Sequence, residues 1–214
     1  MRKLFVLSIV SMLALGTAMA ASEQQVVNDA AEMVRQFRSM PERGIPEGVL
    51  RDARGLAIIR VLKIGFGLSG KGGQGVVVAR TDHGWSGPSF IGTGGAGWGA
   101  QIGAEVTDFI LVLNTHAAVR AFAQSDNVHL GADVSAAAGP VGRDLQAGVT
   151  PTAAVYTYSR SRGLFAGASL EGAIIFTQKD AIWKYYGRPV SAGAILNGHV
   201  PAPRGAAVLR AALR

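Results

Sequence analysis

No cysteine occurs among the 214 residues. That excludes disulfides, a thiol nucleophile and a lipid anchor on an N-terminal cysteine. Histidine is scarce, at positions 83, 116, 129 and 199, and shows no ligand spacing such as HxxxH. No GxSxG elbow occurs; Gly67-Leu68-Ser69-Gly70-Lys71 and Gly167-Ala168-Ser169-Leu170-Glu171 both miss it. His83, beside Asp82, reads as a surface turn residue. Glu105 and Asp108, three apart, read as hydrogen-bonding groups near a strand end rather than an acid–base pair. The residues offer no catalytic set, no metal site and no cofactor site.

Long apolar runs are also lacking. The run from Leu4 to Leu15 is too short to span a bilayer as a stable helix. Arg2 and Lys3 precede it and Ala18-Met19-Ala20 follows, which predicts a secretory signal cleaved after Ala20. The expectation is a signal at 1–20, a single domain at 21–214, and a periplasmic or secreted mature protein. Losing Arg2 and Lys3 leaves 19 basic against 14 acidic residues, a net of 19 − 14 = +5.

Charge is sparse, at 16% of residues, but unevenly placed. Residues 35–80 carry nine basic and three acidic side chains, a net of +6; residues 81–180 carry five and eight, a net of −3. Such a basic half suggests an anionic partner. For an exported protein, lipid headgroups or envelope polyanions fit better than nucleic acid. The plain alternative is a solvated basic face with no ligand.

Glycine is what the chain has in quantity, 29 residues, seven of them between Gly87 and Gly103. Phe90, Ile91, Trp98 and Ile102 sit among them, so the stretch reads as bulged or bent strands in a curved sheet, not a linker. Gly92, Gly94 and Gly97 spell GxGxxG, as do Gly65, Gly67 and Gly70. No helix-start signal follows Gly97, which argues against a dinucleotide site. Gly65 to Lys71 nearly makes a phosphate loop, but Gly72 stands where a hydroxyl is needed.

Helical spacing from Ser22 to Met40, with Ser22 and Gln25 as a capping pair, predicts an amphipathic helix bearing Arg35 and Arg38. A second helix fits Pro46–Arg54, stopped by Gly55. Residues 56–80 read as a hairpin with Lys71 at the tip of a turn near Ser69–Gly75. Alternation puts Arg60 and Lys63 on opposite faces. A helix at His116–Ala123, strands at Asn127–Val134, Ala153–Ser159 and Leu164–Phe176, a turn at Arg160–Gly163, and a turn at Gly139–Arg143 follow. A helical turn over Asp180–Tyr186 should pack Trp183, Tyr185 and Tyr186, and a last helix spans Ala206–Leu213. The fold class is α+β: a strongly bent antiparallel sheet or barrel of about seven short strands, covered by N- and C-terminal helices.

Several segments in fixed order carry a family resemblance: GQGVVVAR, WSGPSFIGTGGAGWGAQIGAEVTDFILVL, LGADVSAAAGPVGR, VYTYSRSRGLFAGASLEG and Tyr185-Tyr186-Gly187. Together they resemble the SYLF domain over about residues 49–189. The resemblance implies a non-enzymatic module that binds phosphoinositides and other anionic phospholipids, with actin binding in fungal members. An exported chain meets no actin, so an anionic phospholipid is the expected ligand. The expected contacts are Arg54, Arg60, Lys63, Lys71 and Arg80, chosen for their charge around the first hairpin. The alternative is an envelope interaction or stress protein that binds another protein. Nothing in the sequence specifies an oligomeric state.

Overall fold

The computed structural model describes residues 22–40, 44–140, 153–163 and 173–214, with backbone alone for 65–69, 96–102 and 162–163. The expected signal at 1–20 lies outside the described residues, as do most of the Gly139–Arg143 turn and the start of the Leu164–Phe176 strand.

Helix α1 runs Glu23–Ser39, and the Ser22 hydroxyl accepts from the Gln25 N–H at 3.2 Å. Val26, Val27, Ala30, Met33, Val34 and Phe37 form its buried face. Met40 is extended, as the residue before a proline prefers. Helix α2 is shorter than the spacing predicts, Glu47–Asp52 after Pro46. Gly55 does not stop it; it is the first residue of strand β1, Gly55–Thr81. A Cβ there would lie 2.9 Å from the Val78 carbonyl oxygen, so this glycine permits close approach of two backbones.

The expected first hairpin is one 27-residue strand paired along its length with the 25-residue β3, Ser89–Leu113. Ser69–Gly75 is not a turn; its residues pair with Ile91–Gly97. The chain does double back, but earlier. The register breaks between Phe66 and Leu68, and the approaches of Gly55 to Val78, Gly73 to Arg60 and Gly75 to Ile58 are symmetric about that point. Glycine-rich backbone on both strands allows the long ribbon to fold over on itself with a bulge at the bend.

The remaining elements are β2 (Gly84–Trp85), α3 (His116–Gln124), β4 (Asn127–His129), β5 (Ala136–Ala138), β6 (Val155–Gly163), β7 (Ile174–Thr177), α4 (Lys179–Tyr186), α5 (Ala192–Leu196) and α6 (Ala207–Ala212). The sheet order is β2-β1-β3-β6-β5, with β7 joined to β3 and β4. The fold is α+β, a strongly curled sheet with helices at both ends of the chain. Two corrections apply. β5 runs parallel to β6, so the sheet is mixed, and the two central strands are long rather than short. The turn expected at Arg160–Gly163 is strand, paired with Glu105–Asp108.

Alternation along β1 and β3 serves two cores. Leu56, Ile58, Val76, Val78, Phe90, Ile110 and Val112 pack with α1 and the C-terminal helices. Ala57, Ile59, Val61, Val77, Phe109, Leu111 and Leu113 pack with α3, β4 and β7. A sheet buried on both faces requires near-continuous apolar runs, which is what Phe109–Leu113 supplies.

Helix α4 ends at Gly187, whose φ of 68° is the left-handed stop expected there. Tyr185 stacks edge-on against Phe90 and against Tyr186, but Trp183 points outward, 56% exposed. Burial pushes the Tyr185 hydroxyl pKa up to about 12, and burial pushes those of Tyr158 and Tyr186 up as well. The folded form therefore resists losing these protons, whereas the unfolded chain loses them near pH 10. Stability from these groups is full below that pH and lost as pH rises above it. The urea midpoint should fall between pH 9 and pH 11, roughly speaking, and fall less in Tyr185→Phe. An equal fall in that variant would remove Tyr185 from the account. Its hydroxyl is buried without a partner among the described residues, so Tyr185→Phe should not destabilise at neutral pH.

Candidate functional site

The five expected lipid contacts do not share one face of the sheet, since Arg60 and Lys63 stand three residues apart on β1. Arg60 is held by carboxylates. Its Nε and Nη2 donate to the two Asp108 oxygens at 2.6 and 3.1 Å, and its Nη1 to Asp29 at 3.2 Å. The pairing follows from register, since Arg60 stands opposite Asp108, and from α1 crossing that face. Its pKa is raised, first by the Asp108 hydrogen bond, against desolvation that lowers it. Lys63 stands opposite Glu105 on the other face, as strict alternation requires.

Asp108 is 2% exposed and Glu105 is also buried. Both lie inside β3 rather than near its end. Glu105 accepts from the Thr107 hydroxyl at 3.2 Å, and Thr107 shares a 3.0 Å hydrogen bond with Ser161. Their structural role, as hydrogen-bonding groups within the sheet, is the one the residues suggested.

Lys71 is exposed on β1 opposite Gly95, not at a hairpin tip. A Cβ at position 95 would meet the Lys71 side chain at 2.9 Å, so the lysine lies across that glycine. Arg54 is exposed just before β1.

Of the five, Arg80 lines a cavity that gathers other cations. Arg38 from α1, Arg51 from α2, Arg80 from β1 and Arg214 surround about 270 Å³, with Trp85 and Glu47 in the wall. Arg80 is preset there. Its Nε donates to the Ala53 carbonyl and its Nη2 to the Leu50 carbonyl, both at 3.2 Å, and its guanidinium lies 4.6 Å from the centre of the Trp85 ring. Trp85 is itself fixed, its indole N–H donating to the Leu213 carbonyl at 3.2 Å.

Arg38 grips Glu47 through Nε at 3.1 Å and Nη2 at 3.4 Å, while its Nη1 reaches the Ala212 carbonyl at 3.1 Å. Among the described residues Arg51 makes a long 3.5 Å contact with its neighbour Asp52. Four arginines and one acidic residue thus line one small space. Such a set can hold a compact anion with several oxygens. Arg38 was legible as a basic residue on an amphipathic helix. Arg51 and Arg214 carried no signal, because their convergence depends on how the two chain ends pack.

The grooves beside β7 and α4 lack this excess. Asp126 and Asp180 stand beside Lys179 in both, and Lys179 is paired with Asp126 at 2.8 Å. Among the described residues, no group of three or more histidine, aspartate and glutamate side chains is arranged to hold a metal ion.

Comparison with known proteins places these elements in a wider group. A family model described as "Ysc84: Las17-binding protein actin regulator" matches residues 94–214. The chain is similar to the human SH3 domain-containing YSC84-like protein 1, 45% identical over 182 residues, 81% of this chain and 53% of that one. It is similar to LAS seventeen-binding protein 3 of Saccharomyces cerevisiae, 47% identical over 164 residues, 74% of this chain and 36% of that one. It also resembles the SH3 domain-containing protein PJ696.02 of Schizosaccharomyces pombe, 47% identical over 167 residues, 76% and 39% of the two chains. The chain spans about half the length, or less, of these relatives.

Proposed function

This chain belongs to the Ysc84 (SYLF) family, and from that premise we propose that it is a binding module, not an enzyme, that docks peripherally on anionic phospholipid. The observation that carries this reading is the convergence of Arg38, Arg51, Arg80 and Arg214 on one cavity. Arginine is the side chain best suited to a phosphate, through its planar fork of donors. No helix among the described residues is long and apolar enough to cross a membrane. Attachment through charge needs no such helix: each basic side chain near an anionic surface contributes about 1 kcal/mol, screened by salt.

The residues at 1–20 support export, with the domain acting in the periplasm or outside the cell. Actin regulation, named in the family description, then has no partner to act on. Cosedimentation with vesicles tests the reading. Binding should rise with phosphatidylglycerol or cardiolipin content and weaken as salt is raised. Equal binding to neutral and anionic vesicles would sink it.

A second reading has its own observation. Trp183 is 56% exposed on α4, and Ile174 and Phe176 on β7 are partly exposed. The family description names the binding of a protein, Las17. A protein-binding role in the cell envelope would use such an apolar surface. A stoichiometric protein partner without vesicle binding would favour it.

A further inference from the structure

We propose that the arginine-lined cavity is a site for one phosphate group, and that the Glu47 carboxylate occupies part of it when the ligand is absent. The inference rests on the anionic-lipid reading only for where the phosphate comes from. Its chemistry stands on the cavity.

Among the described residues Glu47 is held by Arg38, through both oxygens, and its side chain is 70% exposed. An ion pair that open to water contributes little, so an incoming anion displaces it at small cost. A carboxylate presents two oxygens in a plane and satisfies one guanidinium fork. Here three arginines from three different elements, α1, α2 and β1, line the cavity. A tetrahedral group with three free oxygens directs its acceptors out of one plane and suits donors arriving from three elements better than a planar carboxylate does.

Two features prepare the site for that group. Arg80 is already ordered by two carbonyls and by Trp85, so little conformational freedom is lost when it binds. Arg51 is the reverse, 62% exposed and only weakly engaged by Asp52, free to swing over a ligand. About 270 Å³ accommodates a phosphate with some of its water, at roughly 30 Å³ per water. A phosphomonoester headgroup, as in phosphatidic acid, presents the same three free oxygens as a free phosphate ion; the diester headgroups of phosphatidylglycerol and cardiolipin present two.

Glu47→Gln removes the competing charge without altering shape. Arg51→Gln removes an exposed donor that has no core role. Arg120→Gln, exposed on α3 outside the cavity, is the control. Each full-length variant is titrated with inorganic phosphate by calorimetry. Each is also mixed with phosphatidylcholine vesicles with and without phosphatidic acid, after a thermal melt confirms folding.

Glu47→Gln should tighten phosphate binding and Arg51→Gln weaken it, each by about threefold to tenfold, with Arg120→Gln unchanged. Arg38→Gln should weaken it further; if that variant unfolds through loss of its Ala212 contact, the other two still decide. Anionic vesicle binding that ignores both Glu47→Gln and Arg51→Gln overturns the cavity and leaves the lipid reading standing. Phosphate binding that responds to both, without vesicle binding, keeps the cavity and removes the lipid reading. No binding of either kind overturns both.

Discussion

Gly75→Val should prevent folding. A Cβ at position 75 would overlap the Ile58 carbonyl oxygen and lie 2.7 Å from the Ile59 Cα. Both obstacles are backbone at the centre of the molecule, and neither can rotate away as a side chain would. Making room means separating the two arms of β1 where they cross. That would open both cores, because Ile58 and Val76 face one and Ile59 and Val77 face the other. Overpacking within a core ordinarily costs about 1–3 kcal/mol through adjustable side chains. Here the cost should exceed about 4 kcal/mol, in the range reserved for specific structural failures. Gly70→Ala is the matched control: nothing lies within 4 Å of the added carbon, and its effect should stay under about 1 kcal/mol. Circular dichroism melts of the two variants decide. A cooperative melt for Gly75→Val near that of the parent would show that the arms do not need this glycine.

Asp108→Ala should cost about 3 kcal/mol. Removing one partner of a buried ion pair leaves the other charge uncompensated, which costs about 3–5 kcal/mol. The lower end applies because the Arg60 side chain is 32% exposed and retains Asp29. Asp29→Ala leaves the bidentate Asp108 pair intact and should cost under about 1 kcal/mol, as for partly exposed pairs. Urea denaturation at neutral pH separates the two. Comparable losses for both variants would mean that Asp108 and Asp29 share the role equally. Arg60→Gln should likewise act on stability more than on vesicle binding, since its guanidinium is engaged by carboxylates within the protein.

The local signals in the sequence were physical and mostly sufficient. Ser22 before an apolar 3.6-residue stripe determined α1, because a helix needs an N-terminal acceptor and one buried face. Thr115 did the same for α3, accepting from the Ala118 N–H. Gly187 ended α4, because few other residues tolerate a left-handed φ. Dense glycine among aromatics marked a bent sheet, and alternation put Arg60 and Lys63 on opposite faces.

The long-range choices belonged to the tertiary structure. A glycine-rich stretch serves equally as a turn or as a strand that must lie against another backbone. Ser69–Gly75 looked like the first and is the second, because β3 supplies a partner for every residue of it. Arg160–Gly163 likewise extends β6, since Glu105–Asp108 is there to receive it. Arg60 carried the right charge for an anion but meets two carboxylates, one from β3 and one from α1. Charge type is local, whereas the field at a side chain depends on what the fold brings beside it. Composition alone could place a cationic surface near the start of the domain. Only the packing of α1, α2, β1 and the last helix could gather Arg38, Arg51, Arg80 and Arg214 around one cavity, because residues so far apart in the chain meet only when both cores have formed.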